Sequence, residues 1–387
     1  MDVGACASHS AIVEFIAEEF RESGDDEMNI LMTNRELDIG GGNTFLRNFA
    51  TVLTAQGHKC FLIAGNGDTL PLQRKAFEKV CIRNLTLPWD YIWLTRFIQK
   101  HRIQLINAHA LIQLPVITRA CCNTRTPLVL TLAAPFPAKR VERYLPFAEG
   151  VMVMNEYQRD YYIKMGAKPD SIFRTYWMMD WDAFDAGAKK WKEREYDAVY
   201  CSRLSSTKAP LAIAFLQASK RLLRDYPNMH VAVIGNGRHL SKVQQALKEF
   251  NAAAKGVQAK LFTDVLDSSP FFQNSRAVAG GNYVCIEGLA AGANVIGAGY
   301  DGVFGVVKAS NLLDATDQYF GDHITPITGA VRKEDQLANQ FEASLREALS
   351  AEPDPGLQAK AKGLFRREDV VVDLEKEFMK AMSRMSR

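Results

Sequence analysis

The chain lacks the features that mark several specialised classes of protein. Its 387 residues include seven cysteines, an odd number with no CxxC pair and no histidine at zinc-finger spacing. Neither a disulfide framework nor a structural zinc site is therefore predicted. No run of residues approaches the roughly 18 to 20 apolar positions that span a bilayer, and the first residues show no basic flank followed by an apolar run. We expect a reduced, cytoplasmic protein.

An excess of one charge and internal repetition are also missing. The 47 basic and 44 acidic side chains leave a net charge of +3, which gives little reason to expect a nucleic-acid partner. No repeat of solenoid period is visible. The chain is 47% hydrophobic and 24% charged, an ordinary globular balance. Its length exceeds that of one common core, so two domains with a cleft between them are predicted.

Short apolar runs alternate with helical patterns along most of the chain, which predicts an α/β fold with parallel sheets covered on both faces. A first Rossmann-like, doubly wound domain is predicted over residues 28–185, a charged linker over 186–195, and a second such domain over 196–365. Its final strand is expected at "ANVIGA", 293–298. A C-terminal helix, 366–387, could pack back on the first domain. Residues 1–27, with eight acids and one arginine, predict an appended acidic helix.

The first glycine cluster stands in "DIGGGNTFLRNFA", 38–50, between a strand and a helix. Glycines let a ligand approach the backbone closely, and a helix N-terminus offers free N–H groups to an anion. Gly41 and Gly42 are therefore candidates for contact with a phosphate or substrate, although a purely structural turn fits as well. The cluster is a weak dinucleotide fingerprint, because the third glycine would fall at Phe45.

His109 ends the predicted strand "QLINAHA". In open α/β sheets the carboxyl ends of the strands face the ligand crevice. We therefore interpret His109 as a candidate catalytic residue, with a half-buried helix cap as the alternative.

Two cations follow the first strand of the second domain, in "YCSRLSSTKAP". Arg203 offers a planar fork to phosphate oxygens and Lys208 a point charge, so together they could hold a diphosphate and stabilise its developing charge. The alternative is a solvated surface pair. Gly235, in the next strand and turn "VIGNG", could let the backbone approach a nucleotide.

Glu287 lies in the helix that follows the glycine turn "AGGN", and its carboxylate could accept hydrogen bonds from two ribose hydroxyls. The alternative is a carboxylate that stabilises the helix dipole. Gly281, Asn282 and Tyr283 of the same turn are candidates for contact with the donor. No acidic side chain stands eight residues upstream, where the chain has Ala279.

These segments together resemble the retaining glycosyltransferases of family 4 (glycosyl transferases group 1), from about residue 28 to the C-terminus. The similar segments, in order, are "GGGNTFLRNFATVLTAQGHKC", "IQLINAHA", "SRLSSTKAP", "VIGNG" and "IEGLAAGANVI". The resemblance implies the GT-B fold, in which two Rossmann-like domains face each other across a cleft. It implies that Arg203 and Lys208 bind the diphosphate of a nucleotide sugar, that Glu287 binds its ribose, and that His109 lies beside the transferred sugar. Gly41 and Gly42 would face the donor phosphate or the acceptor.

The function that the resemblance implies is transfer of a sugar from a UDP- or GDP-sugar to a hydroxyl of a glycan or glycolipid, without a cofactor. The setting would be polysaccharide biosynthesis of the cell envelope, at the inner face of the membrane. The family usually has a second glutamate where this chain has Ala279. A "DWD" at 180–182 resembles a metal-binding motif of another glycosyltransferase fold, but two doubly wound domains argue against a metal. A sugar-nucleotide epimerase, a phosphorylase and a non-catalytic nucleotide-binding subunit remain alternatives.

Overall fold

A computed structural model describes residues 27–133, 136–254, 256, 258–322 and 334–385. The predicted acidic helix at 1–27 thus lies outside the described residues except for its last one. None of the helices in these ranges is long and apolar enough to cross a membrane.

The first lobe is built on seven parallel strands, in the spatial order β3-β2-β1-β4-β5-β6-β7. The strands are β1 Asn29–Thr33, β2 Lys59–Ala64, β3 Lys79–Ile82, β4 Leu105–Ala108, β5 Leu128–Leu132, β6 Gly150–Val153 and β7 Ile172–Arg174. The helices are α1 Gly41–Ala55, α2 Leu70–Ala76, α3 Asp90–Lys100, α4 Leu114–Thr124, α5 Ala138–Val141, α6 Glu156–Lys164 and α7 Trp181–Ala186. Every residue of β4 and β5 is buried, as expected for strands covered by helices on both faces.

Within the described residues, the second lobe has six strands, in the order β10-β9-β8-β11-β12-β13. They are β8 Tyr196–Cys201, β9 Val231–Ile234, β10 Ala259–Phe262, β11 Ser275–Gly280, β12 Asn294–Gly299 and β13 Gly302–Val306. Its helices are α8 Ala209–Leu222, α9 Leu240–Ala253, α10 Ser269–Gln273, α11 Tyr283–Ala290, α12 Leu312–Asp317, α13 Glu334–Ser350, α14 Pro355–Phe365 and α15 Arg367–Met385.

The expectation that "ANVIGA", 293–298, is the final strand is wrong, because β13 follows and pairs with β12 in the antiparallel sense. The chain reverses through Tyr300 and Asp301. Gly302 then takes a φ of 108°, a left-handed conformation that a glycine adopts without strain. This hairpin brings the edge of the second sheet close to the cleft.

Helix α1 begins in the glycine cluster and buries one face, through Phe45, Phe49 and Leu53, against the first sheet. It ends just before Gly57, whose φ of 98° stops the helix. The helix is therefore fixed by its apolar face and presents its N-terminus to the cleft.

The C-terminal helix α15 contacts the first lobe although it follows the second in sequence. The ring of Phe378 lies 5.5 Å from that of Phe49, and Glu375 Oε1 lies 3.0 Å from His58 Nε2. One apolar cluster contains residues of both lobes, among them Phe45, Tyr283 and Phe378. The lobes therefore share a continuous core beneath the cleft.

In each sheet the strand order reverses at one point, between β1 and β4 in the first lobe and between β8 and β11 in the second. Loops that leave the carboxyl ends of two such strands diverge and open a crevice, which is where open α/β sheets bind ligands. The two reversal points therefore predict where the functional side chains lie.

Candidate active site

Between the two lobes the glycine loop of the first lies against the glycine turn of the second. A Cβ atom added at Gly41 would lie 2.7 Å from Cβ of Tyr283, whereas one added at Gly42 would meet nothing within 4 Å. The two adjacent glycines thus differ in role. Gly41 permits close contact between the lobes, and Gly42 faces open space.

His109 follows β4 directly, at the reversal point of the first sheet. Its Nε2 lies 2.6 Å from Oδ1 of Asn107, whose amide nitrogen donates to Thr131 Oγ1 at 2.9 Å. Because Asn107 Oδ1 can only accept, Nε2 of the histidine carries the hydrogen and Nδ1 is the acceptor atom of the ring. Burial lowers the pKa of His109 to about 3, so the ring is neutral at physiological pH.

Arg203 stands in the loop after β8, at the reversal point of the second sheet, and its side chain crosses the cleft. Its Nη2 donates to the carbonyl oxygen of Ile39 at 3.3 Å, and a Cβ added at Gly40 would lie 3.1 Å from the same nitrogen. The residue is exposed, so its guanidinium can exchange this carbonyl for a stronger, charged acceptor.

Lys208, at the start of α8, is paired with a carboxylate that no sequence motif marks. Its Nζ donates to Asp322 Oδ2 at 2.7 Å, and the side chains are 17% and 6% exposed. The ammonium also lies 4.8 Å from the ring centroid of Tyr300. The cation predicted to bind diphosphate is therefore engaged with a carboxylate of its own lobe.

Gly235 packs against the chain's own backbone. A Cβ at this position would lie 2.0 Å from the carbonyl oxygen of Ser202, and one at Gly237 would lie 2.6 Å from that of Leu204. The two glycines therefore let the loop after β9 lie close to the loop that carries Arg203. This packing explains why both positions are glycine without any contact with a nucleotide.

Glu287 lies one turn into α11, and its side chain is partly buried. Ser268 Oγ donates to its Oε2 at 3.2 Å. Burial raises the pKa of this carboxyl to about 7, while the Ser268 hydrogen bond and the nearby charge of Arg47 act in the opposite direction. Arg47 belongs to α1, so the first lobe contributes to the electrostatics of the carboxylate in the second.

The turn before α11 holds one strained residue and one buried phenol. Asn282 has φ 49° and ψ −114°, its Oδ1 is buried without a hydrogen-bond partner, and its N–H donates to the carbonyl oxygen of Tyr319. The phenol of Tyr283 points into the first lobe, where it accepts from Asn48 and donates to the Met178 carbonyl oxygen. The Tyr283 hydroxyl is thus engaged between the lobes, and contact of Tyr283 with the donor stays a prediction.

Gly281 leaves room for Asp322. A Cβ at Gly281 would lie 2.9 Å from Cβ of Asp322 and 3.0 Å from its Oδ2. Ala279, two residues earlier, is 1% exposed and belongs to the core of the second lobe. The carboxylate that contacts this turn therefore comes from Asp322.

The acids of the "DWD" segment are engaged by the C-terminal part of the chain. Asp180 lies 2.9 Å from Arg367, and Asp182 lies 2.7 Å from Lys362 and 3.0 Å from Arg366. Across the described residues there is no group of three or more histidine, cysteine, aspartate or glutamate side chains that could hold a metal ion.

Sequence reasoning identified the two crevices but missed Arg47 and Asp322. Arg47 lies on the helix directly after the glycine cluster, so its position could have suggested a role at the cleft. Asp322 is distant in sequence from Lys208 and Gly281. No motif marks it.

Comparison with known proteins agrees with this geometry. Residues 39–177 match the family model described as "Glycosyltransferase Family 4". That match covers the glycine loop, His109 and strands β2 to β7 of the first sheet. The first lobe is therefore similar to the glycosyltransferases of family 4.

Solved structures extend the similarity to both lobes and show the fold of the chain. A glycosyltransferase from Rickettsia africae ESF-5 matches with a TM-score of 0.67 and 15% identity, covering 92% of this chain and 99% of that one. Anabaena Alr3699/HepE in complex with UDP-glucose matches with a TM-score of 0.67 and 16% identity, covering 92% of this chain and 100% of that one. Sucrose-phosphate synthase (tll1590) from Thermosynechococcus elongatus matches with a TM-score of 0.69 and 13% identity, covering 92% of this chain and 100% of that one. A search of curated protein sequences found no match.

The predicted fold class is thus confirmed: the chain has the GT-B architecture of two facing Rossmann-like lobes. At identities of 13 to 16% the solved structures carry the fold alone. The roles of the candidate residues stay predictions.

Proposed function

We propose that the chain is a retaining glycosyltransferase that moves a sugar from a nucleoside diphosphate sugar to a hydroxyl of a glycan or glycolipid. The observation that supports it most is the contact between Arg203 and the carbonyl oxygen of Ile39. Through this contact the loop after β8 meets the glycine loop before α1. The crevices of both sheets then open into one cleft, where a donor in the second lobe would face an acceptor in the first.

In this proposal the donor is a UDP- or GDP-sugar and its diphosphate binds Arg203 and Lys208. Glu287 accepts hydrogen bonds from the ribose, and the backbone of Gly281 and Asn282 lies beside the sugar. The Anabaena protein HepE, which shares the fold, has been solved with UDP-glucose, and this supports a UDP-sugar as the first donor to test.

The proposed chemistry needs no metal and no cofactor. As the bond to the sugar breaks, the diphosphate gains negative charge, and fixed cations aimed at it lower the barrier. A diphosphate oxygen can accept the proton of the incoming hydroxyl on the same face of the sugar, so no protein base is required. His109, which is neutral, would contribute a hydrogen bond to the transferred sugar through Nδ1.

For the acceptor, we propose a molecule at the inner face of the membrane, in polysaccharide biosynthesis of the cell envelope, with the protein in the cytoplasm. Three large apolar side chains at the start of α3 support an amphipathic acceptor: Leu87, Trp89 and Ile92 are 48%, 60% and 44% exposed. They follow β3, at the same end of the first sheet as the cleft.

A donor panel tests the function. UDP- and GDP-linked glucose, galactose, mannose and N-acetylglucosamine are incubated with glycan and lipid-linked acceptors in EDTA, and the anomeric configuration of the product is read by NMR. The proposal expects transfer with retention from one of these donors. A donor changed without any acceptor would indicate an epimerase, phosphate-dependent turnover a phosphorylase, and binding without turnover a non-catalytic subunit. Each of these three results contradicts the proposal.

A further inference from the structure

Asp322 occupies a slot whose walls are two glycines. A Cβ added at Gly281 would lie 2.9 Å from Cβ of Asp322, and one at Gly299 would lie 2.5 Å from the same atom. Ordinary side chains at either position would displace the aspartate. The end of β12 and the turn after β11 are therefore shaped to admit it.

Both carboxylate oxygens of Asp322 are used within this slot. Oδ2 accepts from Lys208 Nζ at 2.7 Å and Oδ1 accepts from the Tyr300 N–H at 3.1 Å. The ring of Tyr300 lies 4.8 Å from the ammonium. Because the carboxylate is fixed from two sides, it also fixes where the ammonium lies.

The segment that carries Asp322 is tied to the turn of the second sheet. The carbonyl oxygen of Tyr319 accepts hydrogen bonds from the N–H groups of Asn282 and Asp322. Phe320 and Gly321, which lie between Tyr319 and Asp322 in the chain, both have positive φ, 56° and 88°. Movement of the turn before α11 would therefore move the carboxylate with it.

A cation held by a buried carboxylate presents less positive potential to a ligand than a free one. With the two side chains only 17% and 6% exposed, water screens this pair poorly. A diphosphate that binds Lys208 must share the ammonium with Asp322 or displace it.

We propose that Asp322 limits nucleotide affinity by competing with the donor diphosphate for the ammonium of Lys208. This inference rests on the proposed function, since it takes Lys208 as a ligand of the donor diphosphate. Asp322 lies outside the sequence motifs and outside the residues that match the family model.

A double-mutant cycle tests it, with UDP as the probe and the full chain in isothermal titration. Asp322→Asn is expected to bind UDP about three- to tenfold more tightly than the wild type, because the ammonium loses its competing partner. In the background Lys208→Met the same substitution is expected to change the UDP affinity less than twofold. A purely structural role for Asp322 would alter affinity equally in both backgrounds.

Two further variants complete the design. Asp322→Ser is smaller than aspartate and can still accept the Tyr300 N–H, so it should tighten UDP binding even where the asparagine variant folds poorly. Asp225→Asn removes a carboxylate that pairs with Arg346 at 2.7 Å elsewhere in the second lobe, and it should leave the UDP affinity unchanged.

Unchanged or weaker UDP binding by both folded Asp322 variants would overturn the inference, as would an equal effect in the Lys208→Met background. If the wild type binds UDP, either result leaves the proposed function standing. A wild type that binds none of the nucleotides tested would instead overturn both.

Discussion

The phenolic oxygen of Tyr283, in the second lobe, accepts a hydrogen bond from Nδ2 of Asn48 in the first at 2.6 Å. The same hydroxyl donates to the carbonyl oxygen of Met178 at 2.5 Å. Tyr283 is the first residue of α11, which carries Glu287 one turn later, and Asn48 directly follows Arg47 on α1. The bond therefore joins the two helices whose side chains meet at the cleft.

Removal of this hydroxyl should loosen the two lobes. Tyr283→Phe leaves the buried Asn48 amide with only the more distant Met178 carbonyl, at 3.3 Å, and we expect a loss of about 1–3 kcal/mol in the free energy of unfolding. Urea denaturation followed by fluorescence measures it. Tyr157→Phe is the control, since Tyr157 is 40% exposed. Equal stability of the two variants would show that the bond between the lobes contributes nothing.

The adjacent glycines of α1 offer a matched pair of substitutions. Gly41→Ala places a methyl group 2.7 Å from Cβ of Tyr283, whereas Gly42→Ala meets nothing within 4 Å. Within a helix, alanine is favoured over glycine by roughly 1 kcal/mol. Thermal unfolding should therefore show a lower melting temperature for Gly41→Ala and an unchanged or higher one for Gly42→Ala. The opposite order would contradict the close contact at Gly41.

Glu287 should make donor binding depend on pH. Its pKa is raised to about 7, so the ionised fraction grows as the pH rises from 6 to 8. The ionised carboxylate is the better acceptor for ribose hydroxyls, and the affinity for UDP-glucose should therefore rise over this interval. Titrations at several pH values should show the rise in the wild type and a flat, weaker affinity in Glu287→Gln. A flat profile in the wild type would count against the ribose contact.

His109 should contribute to kcat without adding an inflection to the pH profile of the rate. Since its pKa is lowered to about 3, the ring stays neutral from pH 5.5 to 8. His109→Asn should lower kcat, by about tenfold or more if the lost hydrogen bond forms in the transition state, and leave the shape of the pH profile unchanged. Initial-rate measurements with the donor identified in the panel would check this. Loss of an inflection near pH 6 in the variant would show that the imidazole is charged in part of the cycle.

Much of the fold could be predicted because it depends on local pattern. Runs such as "LVLTL" and "HVAVIG" are long enough to mark buried strands, and their alternation with helices specifies doubly wound sheets. The antiparallel strand β13 was missed because Gly302–Val306 contains two glycines and follows a short turn. A short, glycine-containing segment of this kind reads as a loop.

The candidate site could be predicted only for residues that stand at or just after the ends of strands. Arg203, Lys208 and Glu287 stand at carboxyl ends of strands or in the helices after them, so topology alone brings them to one edge of the sheet. The pairing of Lys208 with Asp322 and the burial of the Tyr283 phenol depend on contacts between distant segments. Nothing in the local spacing encodes these contacts.

The most direct test of the account is the UDP affinity of Arg203→Ala, measured by isothermal titration beside the wild type. Arg221→Ala is the matched control, since Arg221 pairs with Glu342 at the surface of the second lobe. The account predicts saturable binding by the wild type and the control. It predicts binding at least about tenfold weaker in Arg203→Ala, since a charge-assisted hydrogen bond contributes about 1.5–3 kcal/mol. Identical affinities in all three proteins, or a folded wild type that binds neither UDP nor GDP, would contradict it.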